Sequence, residues 1–174
     1  MEYKEKPEFL YHGSPHRGIE ELEPRAKSHR DPAEGAQVFA TQEMGLAAIF
    51  MTEKVAESGL HDRIPYAIIA EPREDFIKND KGGHIYVLPS DGFVCDPEKG
   101  LREYEWTSKS PVRPVKTMEY NSALDAMIEN GVQVYFIEPK TLQEIRQAKD
   151  MGLSILQRLE SENQKRGVSI EELR

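Results

Sequence analysis

Residues 9–15 read Phe-Leu-Tyr-His-Gly-Ser-Pro, and our interpretation of the fold starts from this stretch. Apolar and aromatic residues that lead into a Gly-Ser-Pro cluster are typical of a short strand that ends in a turn. At that strand end the His12 imidazole offers one donor and one acceptor, Gly13 lets a ligand approach the backbone, and Ser14 adds a hydroxyl. Together the three can hold an amide and a sugar hydroxyl, although a histidine in this position can equally be structural.

The rest of the chain contains more strand patterns than helix patterns. Two helices are predicted in this part, one over residues 42–51 with Thr41 as its N-cap, and one that is capped by Asn121 or Ser122 and runs through Asn130. Because the strands are short and are not regularly interleaved with helices, we predict an α+β fold with mostly antiparallel sheets and flanking helices. The predicted strands share short apolar or alternating patterns and cover residues 37–40, 64–70, 76–77, 84–88, 101–107, 112–118 and 132–137.

The pattern changes after residue 138. Apolar residues recur at helical spacing across residues 141–164, which predicts one long C-terminal helix of about six turns. Ser169 and Glu172 form a capping box for one further turn. We therefore expect two parts, a globular domain over residues 1–138 and a helical appendage over residues 139–174. The appendage can pack on the domain or on a second copy of the chain, so a homodimer is one of the expected arrangements.

Composition restricts the function. The 174 residues carry a formal charge of −8, which argues against a broad basic face for nucleic acid. A single cysteine, Cys95, permits no internal disulfide, and no apolar run approaches the roughly 18 residues of a membrane span, so we expect a cytoplasmic protein without a membrane partner. No His/Cys/Asp cluster has metal-ligand spacing, and neither GxxxxGK nor GxGxxG is present, so we expect no metal and none of the common nucleotide loops.

A second group of candidate residues follows the predicted strand at residues 37–40. Phe39 lies near the end of that strand, and Phe50 lies in the predicted helix after it, which also carries the small residues Ala47 and Ala48. An aromatic ring facing the His-Gly-Ser turn can stack on a flat ligand ring. The alternative is that both phenylalanines belong to the core.

A third group lies in residues 101–108, Leu-Arg-Glu-Tyr-Glu-Trp-Thr-Ser. The alternation of a strand places Glu103, Glu105 and Thr107 on one face. If the opposite, aromatic face packs into the core, the two carboxylates point toward solvent or a cleft. A carboxylate in a cleft can stabilise an oxocarbenium-like sugar cation or orient an attacking hydroxyl, whereas on an open face it is only solvated.

These three groups, in this order, resemble the ADP-ribosyltransferase superfamily, in its branch of diphtheria-toxin-like enzymes and poly(ADP-ribose) polymerases. A His-Tyr-Glu triad spread over three strands marks that branch, and this chain would be a small, divergent member of bacterial or phage type. The resemblance covers about residues 9–137 and implies a split β-sandwich that takes NAD as its substrate. It implies that His12 bonds the nicotinamide ribose, that the Gly13 backbone holds the carboxamide, and that Ser14 assists.

The other two motifs match less closely. Val38 stands where the family has its tyrosine, so Phe39 or Phe50 would supply the stacking on nicotinamide. Glu105 and Glu103 both fit the position of the catalytic glutamate. Glu105 is favoured because the Glu105-Trp106 pair lies closer in sequence to the following Pro111-Val112 than the Glu103-Tyr104 pair does.

The polar residues 25–35 predict a long loop that can act as a lid. Arg17, Arg25 and Arg30 are candidates for binding the pyrophosphate of NAD, since guanidinium groups bind phosphate oxygens well. Arg25 is the preferred one of the three.

The resemblance predicts NAD-dependent ADP-ribosyl transfer, by a mono-ADP-ribosyltransferase or an NAD glycohydrolase, with an unknown protein or nucleic-acid acceptor. A catalytically inactive module that binds NAD or ADP-ribose is the first alternative. An interaction protein that acts through its C-terminal helix is the second. Phosphate removal from RNA, with NAD as the acceptor, is disfavoured because that branch uses a more basic site.

Overall fold

A computed structural model describes residues 5–27 and 31–165 of the chain. Within these residues the chain forms ten strands and five α-helices, together with 3-10 turns at Pro32–Glu34 and Arg102–Tyr104. The strands are β1 (Phe9–Ser14), β2 (Ala26–Lys27), β3 (Ala36–Ala40), β4 (Val55–His61), β5 (Ile64–Ile69), β6 (Gly83–Pro89), β7 (Val94–Cys95), β8 (Trp106–Ser108), β9 (Lys116–Tyr120) and β10 (Gln133–Phe136). The helices are α1 (Met44–Ile49), α2 (Arg73–Asn79), α3 (Ala123–Glu129), α4 (Pro139–Gln147) and α5 (Leu153–Lys165).

The described strands form three small sheets, in the orders β1-β6-β9, β10-β5-β4 and β2-β3-β8-β7. All pairs are antiparallel except β10 with β5. An isolated backbone bridge joins the first and third sheets, where Tyr11 and Thr41 exchange two backbone hydrogen bonds of 2.7 and 2.9 Å. The prediction of an α+β fold with mostly antiparallel sheets is therefore confirmed.

Helix α1 packs closely against β1. Five of its six residues are buried, which leaves no polar face and makes it part of the core. A Cβ atom at Gly13 would lie 1.7 Å from the carbonyl oxygen of Ala47, a distance at which no side chain fits. Glycine at this position is thus required by the approach of the helix backbone, a reason that the sequence pattern did not indicate.

The prediction of one long C-terminal helix is wrong. The chain leaves the helical conformation between α4 and α5, where Met151 has φ 55° and Gly152 has φ 82°. Leu142 and Ile145 of α4 and Leu156 of α5 pack with Ile68 of β5, so this apolar stripe is buried within the chain. The break lets both helices cover the same sheet, which a straight helix would not do. The predicted capping box at residues 169–172 lies outside the described residues.

Two other element predictions are corrected. Residues 76–77, predicted as a short strand, lie in α2, where Phe76 is the one buried residue of a polar helix. The predicted loop at residues 25–35 contains β2 and a 3-10 turn. Both errors have the same cause, because short elements with few apolar residues are stabilised by their neighbours and leave little local pattern.

Asp80 links two elements at the start of α3. Its carboxylate accepts hydrogen bonds from the Ser122 hydroxyl at 2.8 Å and from the backbone N–H groups of Ala123 and Leu124 at 2.9 and 3.0 Å. Ser122 itself caps the helix by accepting from Asp125 N. The helix predicted after residue 121 therefore begins where the sequence indicated.

None of the helices in the described part of the chain is both long and apolar enough to cross a membrane.

Candidate functional site

A cavity with a volume of about 990 Å³ lies among the described residues, and we call it the large cavity. Its walls come from five parts of the chain: β1, the segment that follows β1, β3, α1 and residues 101–105. It therefore lies around the Tyr11–Thr41 bridge, where the first and third sheets meet. Ligand sites in proteins commonly have volumes of about 300–1,000 Å³, so this cavity is large enough for a sizeable small molecule.

His12 lines the cavity from β1. Its Nδ1 lies 2.6 Å from the carbonyl oxygen of Phe39 on β3. Burial lowers the pKa of His12 below its usual 6.5, and the hydrogen bond to Phe39 opposes that shift in part. Because a carbonyl oxygen only accepts, Nδ1 is the protonated nitrogen, and in the neutral ring Nε2 is left with a lone pair. His12 is thus a hydrogen-bond acceptor for a ligand hydroxyl.

Gly13 and Ser14 also line the cavity. The Ser14 side chain is buried, and its Oγ accepts a hydrogen bond from the backbone N–H of His16 at 3.1 Å. The hydroxyl hydrogen of Ser14 can still donate, since accepting one bond does not use it. The His-Gly-Ser segment at the end of β1 therefore presents an acceptor and a hydroxyl to the same space.

Both candidate phenylalanines lie at the cavity. Phe39 is half-buried in β3, and Phe50, which follows the last residue of α1, is 58% exposed although it is a large aromatic residue. A residue that serves only the core would be buried, so the exposure of Phe50 does not fit the core alternative. Its ring is accessible for stacking on a flat ligand.

The predicted strand over residues 101–107 is wrong for residues 101–105 and holds only for Trp106 and Thr107. Arg102–Tyr104 form a 3-10 turn, with Arg102 at φ 55°, and β8 begins only at Trp106. The predicted common face of Glu103, Glu105 and Thr107 therefore does not exist. Glu105 lines the cavity, Glu103 is exposed and does not line it, and Thr107 is buried.

Strand register explains how His12 and Glu105 reach one cavity although they are far apart in sequence. Ala40 of β3 pairs with Trp106 of β8, so Glu105 stands one residue beyond the paired end of that ladder. Thr41, the residue that follows β3, forms the bridge to Tyr11, and His12 is the next residue along β1. Two short ladders thus bring the imidazole and the carboxylate to the same hollow.

The cavity edge has more acidic than basic residues. Arg25 lines it, is 83% exposed and pairs with Glu23 at 3.1 Å. Arg17 does not line the cavity and instead pairs with Glu119. Arg30 lies outside the described residues. Of the two candidate arginines that the structure describes, Arg25 is the one that lines the cavity.

Sequence reasoning missed two lining residues that are buried. Gln37 of β3 is only 4% exposed, and its Oε1 has no hydrogen-bond partner among the described residues. Tyr104 lines the cavity from the 3-10 turn and was expected in the core. Gln37 could have been noticed as a polar residue inside an apolar strand. Tyr104 reaches the cavity through a 3-10 turn, which the alternating pattern of residues 101–107 did not predict.

Among the described residues, no group of three or more His, Cys, Asp or Glu side chains could hold a metal ion. A comparison with protein-family models, with curated proteins and with solved structures found no match to this chain. The resemblance to ADP-ribosyltransferases therefore stays a prediction that rests on the three motifs.

Proposed function

We propose that this protein cleaves the nicotinamide–ribose bond of NAD and transfers ADP-ribose to an acceptor or to water, as an ADP-ribosyltransferase-like enzyme with a split β-sandwich. One observation carries the proposal: His12 and Glu105, from motifs about ninety residues apart, line the same cavity of about 990 Å³. Phe39 and Phe50 line it as well and supply aromatic surface for the nicotinamide ring.

Each residue has a distinct part in the proposed reaction. His12 Nε2 accepts a hydrogen bond from a hydroxyl of the nicotinamide ribose, and a phenylalanine ring stacks on the pyridine. The bond from ribose C1′ to the ring nitrogen breaks, and nicotinamide leaves with the electron pair. The Glu105 carboxylate stabilises the resulting oxocarbenium-like cation, which water or an acceptor nucleophile then attacks, losing a proton.

Arg25 is the proposed contact for the pyrophosphate. Its pairing with Glu23 is a solvent-exposed ion pair, and such pairs contribute little to stability. The guanidinium can therefore exchange the carboxylate for a phosphate oxygen at small cost, since it binds phosphate through two parallel hydrogen bonds.

The test compares nicotinamide release by Glu105→Gln and Glu103→Gln proteins. We expect Glu105→Gln to retain NAD binding and lose more than about 100-fold in turnover, because the carboxylate acts mainly in the transition state. Glu103→Gln is the matched control, since Glu103 does not line the cavity, and it should keep normal turnover. His12→Ala should bind NAD about tenfold more weakly, a loss equivalent to about one hydrogen bond.

Undiminished nicotinamide release from Glu105→Gln would rule out the carboxylate role, and unchanged NAD affinity in His12→Ala would rule out the imidazole role. Thermal unfolding of each variant shows whether a loss reflects the site or the fold.

A catalytically inactive NAD-binding or ADP-ribose-binding module is the second candidate. Val38 favours it, because this buried aliphatic residue stands at the position of the family's tyrosine. Calorimetric binding of NAD without any release of nicotinamide would select this function over the enzyme.

A further inference from the structure

A second cavity, of about 450 Å³, lies beyond the carboxyl ends of β5 and β10. These two strands are the parallel pair of the described structure. Residues 70–73, which lead from β5 into α2, form one wall, and residues 136–139, which lead from β10 into α4, form the other. It shares no lining residue with the large cavity, so it is a separate site. The space beyond the carboxyl ends of parallel strands is a common ligand position in α/β sheets.

Two charged side chains at this cavity have buried atoms without a partner. Arg73 Nε and Glu71 Oε1 are both shielded from solvent and have no hydrogen-bond partner among the described residues. The other carboxylate oxygen of Glu71, Oε2, lies 3.4 Å from Lys54 Nζ. A buried donor and a buried acceptor that are both unsatisfied cost free energy in the folded protein. A ligand that offers the complementary acceptor and donor would satisfy both.

The remaining wall is apolar. Phe136 and Ile137 are half-buried and line the cavity together with Pro72 and Pro139. The Phe136 ring is held in an edge-on contact with Phe76, with ring centroids 5.7 Å apart. The cavity therefore has an aromatic surface beside the charged side chains of Glu71 and Arg73, a combination typical of sites for small amphipathic molecules.

Arg73 is cationic and Glu71 is anionic, and both line the cavity and are only partly exposed. Glu138 lines it at an exposed position, and Lys54, which pairs with Glu71, does not line it. A ligand with one positive and one negative group would compensate both partly buried charges, whereas a ligand with a single charge would leave one of them uncompensated. The chemistry of the site thus favours a zwitterion with an apolar body.

We propose that this cavity binds a free α-amino acid with an apolar side chain. The ligand carboxylate accepts a hydrogen bond from Arg73 Nε, the ligand ammonium donates to Glu71 Oε1, and the side chain lies against Phe136. This site is independent of the proposed reaction on NAD and would exist whether or not that reaction occurs.

The test is thermal unfolding and calorimetry of the full chain with L-leucine and L-phenylalanine as probes. A ligand at about ten times its Kd should raise the Tm by several degrees, because it binds only the folded state. Glu71→Gln and Arg73→Met should each lose at least about tenfold in affinity. The matched controls are Glu74→Gln and Lys78→Met, which change exposed charges on α2 outside the cavity and should bind as the unmodified protein does.

Two leucine analogues test the dipolar requirement on the unmodified protein, independently of any variant's folding. Isopentylamine lacks the carboxylate and 4-methylpentanoate lacks the amine, so each should bind at least about tenfold more weakly than leucine. The proposal is overturned if neither amino acid raises the Tm, if Glu71→Gln and Arg73→Met bind as well as the controls, or if the analogues bind as well as leucine.

Discussion

His12 combines a half-buried ring with a fixed tautomer, and both follow from its position on β1. The strand carries the imidazole into the cavity wall, and the Phe39 carbonyl 2.6 Å away holds the hydrogen on Nδ1. Burial lowers the pKa of His12, so the ring stays neutral at pH values where an exposed histidine is already charged. A neutral ring is what an acceptor for a ligand hydroxyl requires.

The lowered pKa predicts how stability depends on pH. As the pH falls below about 6.5, unfolded chains take up a proton on this histidine while folded chains do not, so the free energy of unfolding decreases. The decrease continues until the pH passes the lower pKa of the folded state. Urea unfolding at a series of pH values from 7.5 to 5 should show this loss, and His12→Asn, whose amide can still donate to Phe39, should show a smaller one.

An identical pH dependence in His12→Asn would mean that His12 is not the residue that titrates.

The candidate residues of the first motif could be proposed from sequence because their chemistry lies in consecutive residues. His12, Gly13 and Ser14 need only a strand and a turn to reach one wall. Glu105 was chosen over Glu103 from motif spacing, while the reasoning from strand alternation placed both on one face and was wrong. Gln37 was missed because nothing local in the sequence shows that its amide oxygen lacks a hydrogen-bond partner among the described residues.

At the scale of elements, helix boundaries depended on contacts that the sequence does not display. The apolar stripe across residues 141–164 is continuous, yet the chain breaks at Gly152 so that α4 and α5 can both pack on β5. In the same way, the alternation in residues 101–107 fits a strand, but pairing with β3 begins only at Trp106. Periodicity indicates which residues are apolar, and tertiary packing decides where an element starts.

The substitution Gly152→Ala tests the helix break, because a continuous helix and a broken one predict opposite changes in the free energy of unfolding. In a continuous helix the change would stabilise the protein by about 1 kcal/mol, because alanine is the better helix former. In this fold a Cβ at Gly152 would lie 2.4 Å from Ile145 Cγ2, and the residue has a positive φ. We therefore expect the free energy of unfolding to fall by about 2 kcal/mol, measured by urea unfolding.

Gln157→Ala, at an exposed position of α5, is the control and should change stability by less than about 0.5 kcal/mol. A gain in stability in Gly152→Ala, with increased helical circular dichroism, would contradict the break.

At the scale of the whole molecule, the large cavity forms where β1 contacts both β6 and the segment that follows β3. The strand pairs with β6 along its length and meets Thr41 at a single bridge, while α1 packs against Gly13. Sheet pairing alone would not form a hollow here, because the cavity needs the helix as its third wall.

Gly13→Ala should therefore affect both stability and the site. The added methyl group would meet a backbone carbonyl, which cannot rotate away, so we expect a loss of about 3 kcal/mol or more in the free energy of unfolding. Displacement of α1 should also weaken NAD binding by calorimetry. Gly18→Ala is the control: Gly18 has φ 67° and open space around it, so the cost should be only about 1 kcal/mol of backbone strain.

If Gly13→Ala and Gly18→Ala lowered the free energy of unfolding equally, the contact of Gly13 with Ala47 would not constrain the fold.

The parallel pairing of β10 with β5 has a consequence for biosynthesis. The second sheet gains its third strand only after Gln133, which pairs with Tyr66, has been synthesised. The helices that cover Ile68 are translated later still. Pairing between distant segments is slow because a long loop must close first. On the ribosome, β5 therefore stays an exposed apolar edge until most of the chain has been synthesised, and this is the interval in which a chaperone would engage the nascent protein.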